Sequence, residues 1–211
     1  MHKYFIKTPW IIKRFFSNYV WHIPTKEKEV FLTFDDGPHP QITPWVLAQL
    51  KQHKAAATFF CIGDNVKRYP EVYRQIIAEG HAVGNHTQNH LNGWSTSTET
   101  YLKNVEKAVQ FISSNLFRPP YGRIKRSQAK GLQQAMQTSS TKIIMWDVLS
   151  ADFDISISKE KCFANVMDHV RPGSIVVFHD SDKAFSHLQF VLPKVLEGLT
   201  KKEYKFSRIS Y

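Results

Sequence analysis

Residues 30–38 read Val30-Phe31-Leu32-Thr33-Phe34-Asp35-Asp36-Gly37-Pro38, an apolar run that delivers two adjacent carboxylates to a Gly-Pro turn. A strand ending in this way projects acidic side chains from its C-terminal edge, where α/β folds assemble their active sites. Neighbouring like charges are costly unless a cation or a division of roles separates them. A solvated Asp-Gly turn carries the same letters, so a second motif has to decide the reading.

That motif is His86-Thr87-Gln88-Asn89-His90. Its spacing predicts both imidazoles on one face of a helical turn, a common metal-ligand arrangement. Surface or capping histidines reach the same spacing by chance. With a carboxylate from the first motif, however, the pair makes a set of two imidazoles and one carboxylate. Such a set leaves open positions on a divalent ion for water and substrate. Non-haem iron sites for oxygen chemistry use the same donors, usually on an all-β jelly roll.

Outward from these motifs, helix and strand signals alternate. Helices are expected over 43–53, from Pro70 to a Gly80 cap, and over 98–113, 159–170 and 187–200. Strand-like runs lie at 57–62, 82–84, 142–146, 174–178 and 204–209. The alternation implies parallel strands covered by helices, as an open doubly wound sheet or as a barrel. Motifs that follow successive strands converge if those strand ends ring one mouth, which favours the barrel.

Five motifs in order resemble the polysaccharide deacetylase, or NodB-homology, family. Thr33–Pro38 looks like its first motif and His86–His90 its second. Arg118-Pro119-Pro120-Tyr121-Gly122 looks like the third, residues 146–153 the fourth and Val177-Phe178-His179-Asp180 the fifth. The fourth departs from the family pattern twice: Leu149 stands where an Asp is frequent, and Phe153 where Trp is usual. The resemblance implies a distorted (β/α) barrel of about seven parallel strands. It also implies a catalytic domain over 28–211 and leaves residues 1–27 as an amphipathic extension.

The resemblance further implies the roles. Asp36, His86 and His90 hold one divalent ion, zinc first, with cobalt, nickel or manganese as alternatives. Asp35 is the general base, held ionised by Arg118. His179 is the general acid, supported by Asp152, and the backbone N–H of Tyr121 meets the oxyanion. Asp147 and Asp180 are supporting polar residues. Trp94 and Phe153 are expected at the substrate rim, since sugar rings stack on aromatic faces. The implied activity is metal-dependent N-deacetylation of N-acetylated sugar units in an oligo- or polysaccharide. Alternatives are O-acetyl ester cleavage by the same site and a catalytically dead carbohydrate-binding protein.

Composition fits one ordinary soluble globular domain. The 211 residues are 42% hydrophobic and 22% charged, with a formal net charge of +10. The basic residues are scattered and no nucleic-acid motif accompanies them, so no nucleic-acid partner is expected. Cys61 lies in an apolar run and Cys162 on an expected helix, and neither suggests a disulfide framework.

Near the N-terminus, Lys3, Lys7, Lys13 and Arg14 break the apolar runs, so no signal-type apolar core is readable. A cytoplasmic or membrane-surface location is therefore expected, and no membrane-spanning segment. Residues 8–20 read as a helix capped by Thr8, with Pro9 in its first turn. Ile12, Phe15, Phe16 and Tyr19 would share one face, packed on the domain in preference to docking on a membrane surface.

Overall fold

The computed structural model describes residues 4–211; Met1, His2 and Lys3 of the expected extension lie outside them. In chain order the elements are α1 (Trp10–Phe15), β1 (Glu29–Asp35), α2 (Ile42–Gln52), β2 (Thr58–Cys61), α3 (Gly63–Arg68), α4 (Pro70–Ala78), β3 (Ala82–Asn85) and α5 (Thr98–Val109). They continue with β4 (Leu116–Phe117), α6 (Arg126–Ala135), β5 (Lys142–Ile143), β6 (Val148–Leu149), α7 (Lys159–Met167), β7 (Ile175–His179), α8 (Asp182–Lys201) and β8 (Lys205–Phe206).

Seven strands follow one path, β5-β4-β3-β2-β1-β7-β6, with β8 added against the start of β1. Every pairing is parallel, and the sheet curls into a half-barrel clothed by helices. The expected barrel of about seven strands is the fold found.

Local chemistry explains most elements. β1 is buried on both faces, as a central parallel strand must be, and Phe34 stacks between Phe59 and Phe178. Pro70 opens α4, and Gly80 leaves it with φ +85°, a conformation that costs glycine nothing. Ser97 and Ser158 cap α5 and α7 by accepting the backbone N–H three residues on.

Several expectations fail in detail. His86–His90 is not a helical turn, because Thr87 and His90 both take positive φ, 66° and 55°. Asn85 Oδ1 accepts the Thr87 N–H, and Asn104 Oδ1 accepts those of Gln88 and Asn89, so side chains hold this loop where a helix would use its own carbonyls. The strand expected over 142–146 is regular only at Lys142–Ile143, with Ile144 adding an isolated bridge to Val20, and that over 204–209 only at Lys205–Phe206. α8 starts five residues early, at Asp182.

The helix expected over 8–20 shrinks to Trp10–Phe15. Thr8 is not its cap; its hydroxyl donates to the Trp146 carbonyl at 2.8 Å. The flanking backbone has other partners, because the path of strands is open between β5 and β6 and the N-terminal segment lies along both edges. Val20 donates to Ile143 and accepts from Met145 at 2.9 and 2.7 Å. Ile6 accepts from Leu149 and Thr8 donates to Asp147, at 2.8 and 3.0 Å. Edge groups that would otherwise be unpaired are thereby satisfied.

Candidate active site

The C-terminal ends of the strands bring the motifs together. β1 ends at Asp35, whose register partner on β7 is His179. β3 ends immediately before His86, and β4 immediately before Arg118. They surround a cleft of about 440 Å³ lined by Asp35, Asp36, His86, His90, Tyr121 and His179, with Trp146, Leu149 and Phe153 among the other walls.

Asp36 sits in a left-handed turn, φ 80°, which swings its carboxylate toward the histidines. Its Oδ1 lies 3.2 Å from His90 Nε2 and 3.7 Å from His86 Nε2. One ligand atom from each of the three residues falls within 4.8 Å of the others. Asp36 Oδ1 is buried and has no well-directed hydrogen bond, so the donors face a common point more than they face one another. His86 Nδ1 lies 2.7 Å from the Arg118 carbonyl, which fixes the tautomer that turns the Nε2 lone pair inward.

Burial pushes the His86 ring down to about 4, which keeps the imidazole neutral as a ligand must be. Burial alone would raise the Asp36 carboxyl, but the close approach of the His90 ring and the positive charge of nearby His179 hold it far below the usual carboxylate range. These residues fit a divalent ion.

Asp180, three residues on from the register partner of Thr33, braces that turn from beneath. It accepts the Gly37 N–H at 3.0 Å and the Thr43 hydroxyl at 2.5 Å. A Cβ on Gly37 would meet Asp180 Oδ2 at 2.1 Å, so the turn requires glycine. Burial, with Asp36 adding to it, pushes the Asp180 carboxyl up to about 8 against the bonds it accepts. Sequence placed Asp180 only as a supporting residue, and bracing the turn is what its contacts do.

Arg118 is fully buried. Its guanidinium donates to Asp35 Oδ1 and Thr33 Oγ1 at 2.7 Å each, and to the carbonyls of Ile144 and Met145 at 3.1 and 3.0 Å. It also lies 4.1 Å over the Phe60 ring. Burial pulls the guanidinium below its ordinary value, and Asp35 offsets this only in part. The fork is immobilised, and with it Asp35.

Asp152 holds His179 twice, accepting its backbone N–H at 2.8 Å and facing its Nδ1 at 2.7 Å. Burial would push this ring down. The charge and hydrogen bond of Asp152, joined by Asp36 and Asp35, outweigh burial and raise it to about 9.

The remaining residues divide. Phe153 lines the cleft edge-on to His179, with ring centroids 5.1 Å apart. Tyr121 has φ 59° and its ring packs edge-on to His90 at 4.6 Å. Trp94 is exposed outside the cleft and reaches it only through Arg123, whose guanidinium lies 5.0 Å over the indole. Trp45 packs into the core on Phe185. Asp147 is not in the cleft: Lys13, Lys7 and Ser174 surround its carboxylate at the N-terminal seam.

Sequence reasoning did not single out Arg123, Lys183 or Tyr4 as cleft residues. The first two follow the third and fifth motifs closely, and that proximity was the available signal. Tyr4 had none, because only the fold brings it there.

Comparison with known proteins identifies the family and the fold. Residues 22–139 match the protein family described as polysaccharide deacetylase. The chain is 36% identical over 195 residues to a peptidoglycan-N-acetylglucosamine deacetylase of Bacillus cereus, covering 90% of each. It is 33% identical over 165 residues to a chitooligosaccharide deacetylase of Azorhizobium caulinodans, 75% of this chain and 76% of that one.

Among solved structures, a peptidoglycan N-acetylglucosamine deacetylase in complex with 4-naphthalen-1-yl-N-oxidanyl-benzamide superposes with a TM-score of 0.79 at 31% identity, over 91% of both chains. A CE4 family pseudoenzyme from Bacillus anthracis superposes with a TM-score of 0.76 at 26% identity, over 90% of this chain and 66% of that one.

Proposed function

The chain belongs to the polysaccharide deacetylase family, and we propose that it hydrolyses the acetamide of N-acetylated sugar units in an oligo- or polysaccharide, releasing acetate and a free amine. The observation that carries the reading is one cleft in which Asp35, the Asp36–His86–His90 set and His179 all present their side chains. A neighbour of the same fold is a pseudoenzyme, so the fold alone does not carry the activity; the complete set of reacting groups supports it here.

Asp36, His86 and His90 would hold the metal, with zinc the natural choice for two imidazoles and a carboxylate. When bound, such an ion supplies a Lewis acid for the acetyl carbonyl and lowers the pKa of a water. Asp35, fixed by Arg118, accepts the proton of the attacking water. The Tyr121 N–H is assigned to the developing oxyanion, where a fixed donor costs no reorganisation. His179, kept cationic by Asp152, delivers a proton to the amine nitrogen as the C–N bond breaks. An amide needs that proton more than an ester does, which favours N- over O-deacetylation.

The test is acetate release from N-acetylglucosamine oligomers and from peptidoglycan, measured before chelation, after it and after zinc is restored. Release that disappears and returns is expected. Undiminished release after complete metal removal, or no release from any N-acetylated glycan by zinc-loaded protein, would overturn the reading.

A further inference from the structure

Among the described residues, ten large apolar side chains stand exposed, and five of them fall between Phe5 and Phe16. Trp10 and Phe15 are 74% and 77% exposed, with Phe5, Ile11 and Phe16 beside them in the chain. Ile12 and Tyr19 pack inward, so the face expected to pack on the domain is divided, half in and half out.

Charge sorts with this surface. Residues 1–26 contain no Asp or Glu, and neither do residues 107–146. The two acid-free stretches are joined through Val20 and Ile144 and share a groove of about 520 Å³. In it Phe15, Phe16 and Ile124 meet Arg126 and Lys130, and no acidic side chain lines it. Arg14 stands exposed on α1 itself.

We propose that this face docks on a lipid bilayer carrying anionic headgroups. The aromatic and aliphatic side chains enter the interface, while Arg14, Arg126 and Lys130 meet the headgroup phosphates. Exposed Trp and Phe interleaved with cations and free of acids is the composition of an interfacial surface, in which apolar burial and headgroup attraction add. A polyanion such as nucleic acid would use the cations and leave Phe5 and Ile11 in water. A second copy would set this basic face against itself. The association is peripheral, since among the described residues no helix is long and apolar enough to cross a membrane.

The experiment is co-sedimentation of the full chain with phosphatidylcholine vesicles, with and without phosphatidylglycerol. Two variants accompany it, Trp10→Ser with Phe15→Ser, and Arg14→Glu with Arg126→Glu. All four side chains are exposed, so thermal melting should match the parent and certify folding. Binding is expected on the anionic vesicles and much less on the neutral ones, weakened about tenfold or more in each variant.

No preference for anionic vesicles would overturn the proposal. So would an aromatic variant that binds like the parent while the charge variant does not, since that describes attraction to any polyanion. A parent dimer in light scattering that the aromatic variant dissociates would assign the face to a second copy and overturn it equally. None of these readouts depends on deacetylase activity.

Discussion

Among the described residues, two carboxylates are buried against arginine or lysine, and they do unlike work. Asp35 is 4% exposed and paired with Arg118; Asp147 is also 4% exposed and surrounded by Lys7, Lys13 and Ser174. Both Asp147 oxygens are occupied, one by Lys13 and the other by Lys7 at 2.5 Å and Ser174 at 2.6 Å, and the cleft does not reach them. Arg118 engages Oδ1 of Asp35, and the cleft reaches the residue. Burial and pairing therefore do not mark a functional acid. An orienting cation on one oxygen with an opening beside it does, and a carboxylate saturated on both oxygens is a fastener.

The contrast is sharpest in activity. Asp35→Asn should cost about 10²–10⁴-fold in kcat on an N-acetylated oligosaccharide, because an amide cannot accept the water's proton. Asp147→Asn should leave the kcat of folded protein near the parent's. A comparable loss from both substitutions would erase the distinction drawn between them.

An effect selective for the amide is expected at His179. Its replacement by Ala should cost on the order of 10²–10⁴-fold on the amide but much less on an aryl acetate, whose leaving group departs as an anion. The acid works protonated, and its ring is raised to about 9, so activity falls as pH rises through that region. Asp152→Asn removes the anion that raises it and should move the alkaline limb to lower pH. Equal losses on amide and ester, or an unmoved limb, would take His179 out of the leaving-group step.

The smallest effect belongs to stability at the seam. Asp147→Asn should lower unfolding free energy by about 1–2 kcal/mol, below the value for a fully buried pair because the lysines keep access to water. Burial acts to raise the Asp147 carboxyl, but Lys13, Lys7 and Ser174 prevail and hold it below its ordinary range. Its stabilisation is therefore present above the ordinary carboxylate range and lost as pH falls through the lowered value. Denaturant titrations at neutral and acid pH should show the parent and variant converging in acid; a constant gap would contradict the ion-pair account.

What the sequence carried follows from how local each signal was. β1, β2, α2 and α4 were legible because an apolar run, a Pro at the first turn or a Gly past the last lies inside the element itself. β4 and β6, two residues each, have no periodicity to read, and β5 and β8 lie inside the longer runs 142–146 and 204–209, whose ends the pattern did not mark. The His86–His90 loop takes its shape from Asn104, on α5, which spacing within the motif does not record. The N-terminal segment was misread as a longer helix because its partners, Ile143 and Leu149, lie more than a hundred residues away. Motif order brought the reacting groups to one site, whereas the brace by Asp180 and the lining by Tyr4 came only with the fold.

The central claim is that the adjacent carboxylates Asp35 and Asp36 do different jobs, and metal content measures it most directly. Asp35→Asn and Asp36→Ala would be purified without chelator, dialysed against zinc and analysed for bound metal alongside the parent. The account predicts about one zinc per chain in the parent and in Asp35→Asn, and its loss from Asp36→Ala, with both variants inactive. Zinc lost from Asp35→Asn and retained by Asp36→Ala, or equal zinc in the two, would contradict it.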